Sequence, residues 1–242
     1  MSYRTLDAND IVRTLQSLER RIVERFPGSG LSSVCRELVA IGEQVQERAR
    51  SIAAPNVPLR IALFIAIAAT IVGLVAVGIT VKLQVGTAEL FGVFQGVEAA
   101  ANIVVLAGAA LFFLVSLETR IKRRRSLSDL HTFRSIAHVI DMHQLTKDPS
   151  SVVGAVPTAS SPKRSMDRFE LTRYLDYCSE MLSLTSKLAA LYAQNLPDPV
   201  VIDTVRDIEA LTTNLSAKIW QKITILDAAG SEPRGPHSHA AH

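Results

Sequence analysis

The sequence predicts an all-α membrane protein: a two-helix transmembrane hairpin carrying antiparallel, coiled-coil-like helical hairpins in the cytosol. Three observations lead there. Two apolar runs, Leu59–Val81 and Ala99–Leu117, are each about 20 residues long, enough for a helix to cross roughly 30 Å of hydrocarbon. The second run stops against Glu118-Thr119-Arg120-Ile121-Lys122-Arg123-Arg124-Arg125, a basic stop-transfer signal. Outside the two runs, apolar residues recur at steps of three and four, the signature of amphipathic helices, and no alternating strand pattern competes.

Composition agrees. Of 242 residues, 48% are hydrophobic, and that excess sits in the two runs. Aromatics make up only 5%, and the single Trp220 lies far from them, so basic residues rather than an aromatic belt must anchor the spans. The net charge of +3 and pI near 9.0 do not point to nucleic acid. The positive charge is gathered beside the second span, without interleaved aromatics. Two cysteines with no CxxC spacing, Cys35 and Cys178, are expected as small apolar core residues. The polar start, Met1–Asp10, is unlike a cleavable signal. Arg48, Arg50 and Arg60 precede the first span and five basic residues follow the second, whereas the connection carries Lys82 against Glu89 and Glu98. The positive-inside rule then places both termini in the cytoplasm.

Taken in order, the chain divides into an N-terminal helical hairpin (1–54), the membrane hairpin (59–117), a juxtamembrane segment and helix (118–147), a flexible linker (148–165), a C-terminal helical hairpin (166–227) and a disordered tail (228–242). Asp7, Asn9 and Asp10 offer caps for a helix whose face is Ile11, Leu15, Leu18, Ile22 and Phe26, ended by Pro27-Gly28. A second helix follows, with Val34, Leu38, Ile41, Val45 and Ile52 on its face. Pro55 and Pro58 separate it from the first span. After the basic cluster, Ser126-Leu127-Ser128-Asp129 predicts a new helix start, with an apolar stripe through Leu127, Leu130, Ile136 or Ala137, and Ile140. Linker residues 148–165 are rich in Pro, Ser, Gly and Ala. Two longer helices close the fold. One presents Leu171, Leu175, Cys178, Leu182, Thr185, Ala189, Tyr192 and Leu196; the other presents Val201, Val205, Ile208, Thr212, Leu215, Ile219, and Ile223 or Leu226. Asp198-Pro199 caps and starts the second of them. A period near 3.5 on helices joined by a tight turn predicts the antiparallel pairing.

Candidate sites come in four kinds. Arg120, Lys122, Arg123, Arg124 and Arg125 fix topology and are placed to meet anionic lipid, each worth roughly 1 kcal/mol at the surface. Ala66, Ala69 and Gly73 in the first span, and Gly96, Ala100 and Gly108 in the second, are small residues at helix-packing spacing. Gln95, Glu98 and Asn102 share one face at the outer end of the second span and are the candidates for lining a pore in an oligomer. His138 and Asp141, one turn apart, fall short of the three or four ligands zinc takes, and His237, His239 and His242 read as part of the tail. No phosphate-binding loop, nucleophile elbow or HExxH motif is present, so no catalytic residue, cofactor, metal or small-molecule substrate is expected.

The stretch Arg134–Pro149, reading RSIAHVIDMHQLTKDP, resembles a recurring segment of uncharacterised bacterial two-span membrane proteins. Cytosolic helices around a membrane hairpin are also similar in architecture to the SLATT-type two-span effectors of bacterial conflict systems. Neither resemblance carries site residues. Together they imply a bacterial inner-membrane protein. The expected function is a non-enzymatic anchor or scaffold that self-associates or docks a helical partner. The alternative is an oligomeric membrane-permeabilising effector or channel.

Overall fold

The computed structural model describes residues 5–53, 57–84, 90–147, 149 and 166–231. Linker residues 150–165 and the histidines of the tail lie outside these. The described residues form six α-helices and no strand: α1 (Ala8–Arg25), α2 (Gly30–Ala53), α3 (Val57–Gln84), α4 (Leu90–Leu145), α5 (Arg168–Asn195) and α6 (Pro199–Ser231). They fall into two compact units. One joins Met1–Ser51 to Ser126–His242, and the other is Ile52–Arg125.

The first unit is a helical bundle of α1, α2, the part of α4 from Ser126 onward, α5 and α6. Its boundaries follow from local chemistry. Asp7 caps α1 by accepting from the Asn9 amide at 2.8 Å. Gly28, at φ +68°, takes the left-handed turn after α1. Asp167 and Glu170 form a reciprocal capping box at the start of α5: the Glu170 amide donates to Asp167 Oδ1 at 2.7 Å and the Asp167 amide to Glu170 Oε2 at 3.1 Å. Asp198 accepts from the Val200 and Val201 amides to open α6.

α5 is the central element. Its predicted stripe is buried from Leu171 to Tyr192, but so are Tyr174, Tyr177, Met181, Leu184, Leu188 and Leu191. That face is broader than an a/d seam, because α5 packs on several helices at once. α6 buries every stripe position from Val201 to Leu226, including both Ile223 and Leu226. Arg168 at the start of α5 donates to the Asp227 carbonyl near the end of α6 at 3.1 Å, so the two helices run antiparallel. Phe26 meets Tyr174 and Tyr177 edge to face at 5.4 and 6.2 Å, and Phe133 of α4 meets Tyr192 at 6.1 Å.

Three expectations are corrected. The buried face of α2 runs through Leu31, Cys35, Leu38, Gly42 and Val45, leaving Val34 and Ile41 only half-buried. Gly42 is the reason: a Cβ there would lie 3.2 Å from Leu15 and 3.6 Å from Leu188, so its bare backbone admits α1 and α5. Nor does a helix start at Ser126. α4 is continuous from Leu90 to Leu145, since no glycine or proline interrupts Glu118–Leu130. The Ser126 hydroxyl is buried, without a partner among the described residues. The helix of the tail region also runs further than the stripe foretold, to Ser231.

The second unit contains α3 and α4 up to Arg125. Each carries a stretch long and apolar enough to cross a membrane, and no residue of either apolar window is buried. Phe64, Phe94 and Phe112 are each 73% or more exposed. Leaving one such side chain in water rather than burying it costs about 1.5–3 kcal/mol, so a surface lined by many of them calls for an apolar surround. Thr70 donates its hydroxyl to the Ala66 carbonyl at 2.8 Å, back along its own helix.

Candidate membrane interface

Helix geometry gives the spans a common length. Arg60 and Lys82 bracket α3, and Glu98 and Arg120 bracket the apolar part of α4. Each pair is 22 positions apart. At 1.5 Å per residue that is about 33 Å, close to the hydrocarbon thickness of a bilayer. Between Arg60 and Lys82 there is no charge, and between Glu98 and Arg120 there is one, Glu118, two positions before the arginine. α4 begins at Leu90, so its first turns extend beyond Glu98.

At the other end, the basic residues form a collar. Successive positions on a helix turn by about 100°, so Arg120, Lys122, Arg123, Arg124 and Arg125 point in five directions around α4 within one and a half turns. Arg120, Arg124 and Arg125 are exposed, while Lys122 and Arg123 are half-buried. Lys122 pairs with Glu118 at 3.0 Å, which neutralises the one acid of this segment. Below the collar lies an open groove of about 510 Å³, lined by Phe112, Phe113, Ser116, Leu117, Thr119, Arg120 and Arg123.

The remaining sequence candidates are distributed differently. Glu98 and Asn102 are exposed on α4; the Gln95 side chain lies outside the described residues. Ala66, Gly73, Gly96 and Ala100 are half-buried, whereas Ala69 and Gly108 are exposed. A Cβ built on Gly73 or Gly108 meets no described atom within 4 Å. Among the described residues, then, nothing packs against α3 or α4 at those two points. Asp141 accepts from Gln144 Nε2 at 2.5 Å, and His138 is exposed.

Sequence reasoning missed a polar node in the bundle, close in sequence to the ends of the membrane unit. Asp129, three residues past Ser126, accepts from Arg48 of α2 and from the Tyr192 hydroxyl of α5, the latter at 2.8 Å. The Asp129 side chain is 13% exposed and Tyr192 is buried. Burial, reinforced by the hydrogen bond to the Asp129 carboxylate, pushes the Tyr192 phenol up. Arg48, counted in the sequence as a flank of the first span, is therefore engaged with α4. Such a node leaves no periodic signal, because its members are 81 and 63 positions apart. A second node lies further along α4: Lys222 of α6 donates to the Gln144 carbonyl at 2.9 Å and to its Oε1 at 2.7 Å. It supplies a cation where α4 ends.

A groove on the bundle itself is lined by Arg173, Asp176, Glu180 and Lys187 of α5 with Trp220 of α6. Its charges are satisfied locally: Arg173 with Asp176 at 3.1 Å, Glu180 with Arg21 at 2.6 Å, and Lys187 with Ser183 at 2.7 Å. Burial raises the Asp176 carboxyl despite the neighbouring Arg173. Cys35 and Cys178 are buried, and desolvation pushes both thiols up to about 12, so neither is an activated nucleophile. Among the described residues no three His, Cys, Asp or Glu side chains converge as metal ligands.

Comparison with known proteins yields no matching family model, no similar curated protein and no similar solved structure.

Proposed function

We propose that this chain is a non-enzymatic, two-span protein of a bacterial inner membrane, with both termini cytoplasmic and a helical bundle that associates with further copies or docks a helical partner. One observation carries the reading. The segments before and after the apolar helices, residues up to Ser51 and from Ser126 onward, belong to a single compact unit. Two apolar helices inserted between segments that fold together leave and re-enter on one face of a bilayer. The collar at Arg120–Arg125 supports reading that face as the cytoplasmic one, by the positive-inside rule. The open approaches at Gly73 and Gly108 favour assembly, since close helix packing in lipid uses such positions. Mass determination of the intact complex, purified in mild detergent, tests this. A defined oligomer or a stoichiometric helical partner is expected; a bare monomer at all concentrations contradicts it.

A second reading has its own observation. Glu98 and Asn102 are exposed on the same face of α4, where an oligomer could present them to water. Under it the assembly permeabilises the membrane, and Glu98→Gln with Asn102→Leu changes ion flux in reconstituted vesicles. Unchanged flux, or none in the wild type, leaves the anchor reading standing.

A further inference from the structure

We infer that α4 carries an interface for a second copy of this chain along one side of its apolar stretch, a parallel α4–α4 pairing in which the Asn102 amides of the two copies bond to each other. The inference rests on the self-association read above and names the surface that carries it. From Ser126 onward, α4 meets the bundle through a row at alternating steps of four and three: Ser126, Leu130, Phe133, Ala137, Ile140 and Gln144, all buried. The helix is continuous from Leu90. Counted back through Arg123 and Thr119, the same steps land on Ser116, Phe112, Ala109, Val105, Asn102 and Glu98. There the row is uncovered: Phe112 is 76% and Val105 68% exposed, and Glu98, Asn102 and Ala109 are exposed as well. One heptad register therefore runs along the helix, filled by the bundle from Ser126 onward and left open before it.

Chemistry sets this row apart from the rest of the apolar stretch. Between Glu98 and Glu118 the only polar side chains are Asn102 and Ser116, and both lie on it. The opposite side, through Ala100, Ile103, Ala107, Leu111 and Leu114, is apolar and half-buried. The Asn102 amide has no hydrogen-bond partner among the described residues, and it lies about 6 Å inside Glu98 along the helix. Hydrocarbon supplies no partner there, so another helix must. Copies inserted with one topology run parallel, which sets each Asn102 opposite its own counterpart. An amide both donates and accepts, so the two complete a reciprocal pair, as a single asparagine does when it fixes the register of a parallel coiled coil. Ala109, between Val105 and Phe112 on the row, lets the backbones approach. From Glu98 to Ser116 the row covers about 27 Å, most of the hydrocarbon thickness. Glu98 falls at the boundary, where water and salt screen it from its counterpart.

The test is disulfide trapping of the full-length protein in its membrane. Val105→Cys and Ala109→Cys put a thiol on the row. Val104→Cys and Ala110→Cys put one at similar depth about 120° from its midline, at positions that are also exposed. Native Cys35 and Cys178 are buried and stay in place. Under a mild oxidant the row thiols should give at least about tenfold more crosslinked dimer than the other two, since a disulfide needs its Cα atoms within about 7 Å. In detergent, Asn102→Leu should weaken dimerisation about 3- to 30-fold, the range for a hydrogen bond between membrane helices, while Ala110→Leu stays within about twofold of wild type. Equal trapping at all four positions, stronger trapping at Val104→Cys and Ala110→Cys, or an Asn102→Leu dimer as tight as wild type would overturn the pairing. An oligomer seen by intact mass would still stand in each case. Trapping only to a chain of different mass would assign the row to another protein and overturn it. So would a complex of four or more copies that leaks ions, which would line a water-filled path with this row. Release of the wild type from membranes by alkaline carbonate would remove this inference and the membrane reading together.

Discussion

Asp129→Ala should loosen the bundle more than a surface ion pair ever could. The Tyr192 hydroxyl is buried and donates to Asp129 at 2.8 Å, and Arg48 donates to the other oxygen of the same carboxylate. Removing the acceptor forfeits a hydrogen bond to a charged group, about 1.5–3 kcal/mol, and leaves a buried hydroxyl unpaired at a cost of roughly another 1 kcal/mol. The Arg48 side chain is 52% exposed, so its share is at most about 1 kcal/mol after solvent screening. About 3 kcal/mol in total, at roughly 2–4 °C per kcal/mol for a bundle of this size, lowers Tm by about 6–12 °C. Tyr192→Phe removes the bond without orphaning a hydroxyl and should cost about half as much, and Arg48→Ala about 2 °C. Asp129→Asn keeps an acceptor for Tyr192 and should fall between. The assay is thermal unfolding of the full-length protein in detergent, followed by Trp220 fluorescence on α6. An Asp129→Ala melt within about 1 °C of wild type would refute the convergence of α2, α4 and α5 on this carboxylate.

Other outcomes follow from the same bundle. Gly42→Leu forces a side chain between Leu15, Val12 and Leu188, whose atoms lie 3.2–3.6 Å from the position of its Cβ, and overpacking should cost about 1–3 kcal/mol or more; Gly42→Ala, with its gain of about 1 kcal/mol in helix propensity, should be close to neutral. If Gly42→Leu melts like wild type, the close approach of α1, α2 and α5 is wrong. Asp167→Ala breaks the α5 capping box and should cost about 1 kcal/mol, read as earlier proteolysis at the start of that helix. Alkaline pH should destabilise the bundle: unfolded thiols lose their protons from pH 9.0, whereas folded Cys35 and Cys178 hold theirs to about 12. Stability from these groups is full below pH 9.0 and declines from there to about 12, with Tyr174 and Tyr192, raised from 10.0, acting in the same direction. A Tm unchanged between pH 8 and 10.5 would count against their burial.

The fold was legible where one residue type repeats on one face. The stripes of α1 and α6 are buried at every predicted position because each helix meets the bundle through one side. α2 was misjudged by one position, since its contact is made by Gly42 and Cys35, which carry little hydrophobic signal. The centrality of α5 was hidden for the opposite reason: a helix apolar on most of its circumference shows several overlapping stripes, and the strongest masked the others. Ser126 misled because serine followed by an acid signals a cap only where the preceding residues cannot stay helical, and the arginines before it can. The collar and the apolar spans were plain from composition. The groove under the collar was not, because it depends on which basic residues share a side of α4 with Phe112 and Ser116.

The central claim, that two membrane helices interrupt one cytoplasmic bundle, is tested most directly by labelling single engineered cysteines with a membrane-impermeant maleimide in spheroplasts. Native Cys35 and Cys178 are buried and contribute little background. Leu90→Cys should react in intact spheroplasts, whereas Thr5→Cys and Ser231→Cys should react only after the membrane is opened. Labelling of Thr5→Cys and Ser231→Cys from opposite sides, or of all three only after opening, would contradict it.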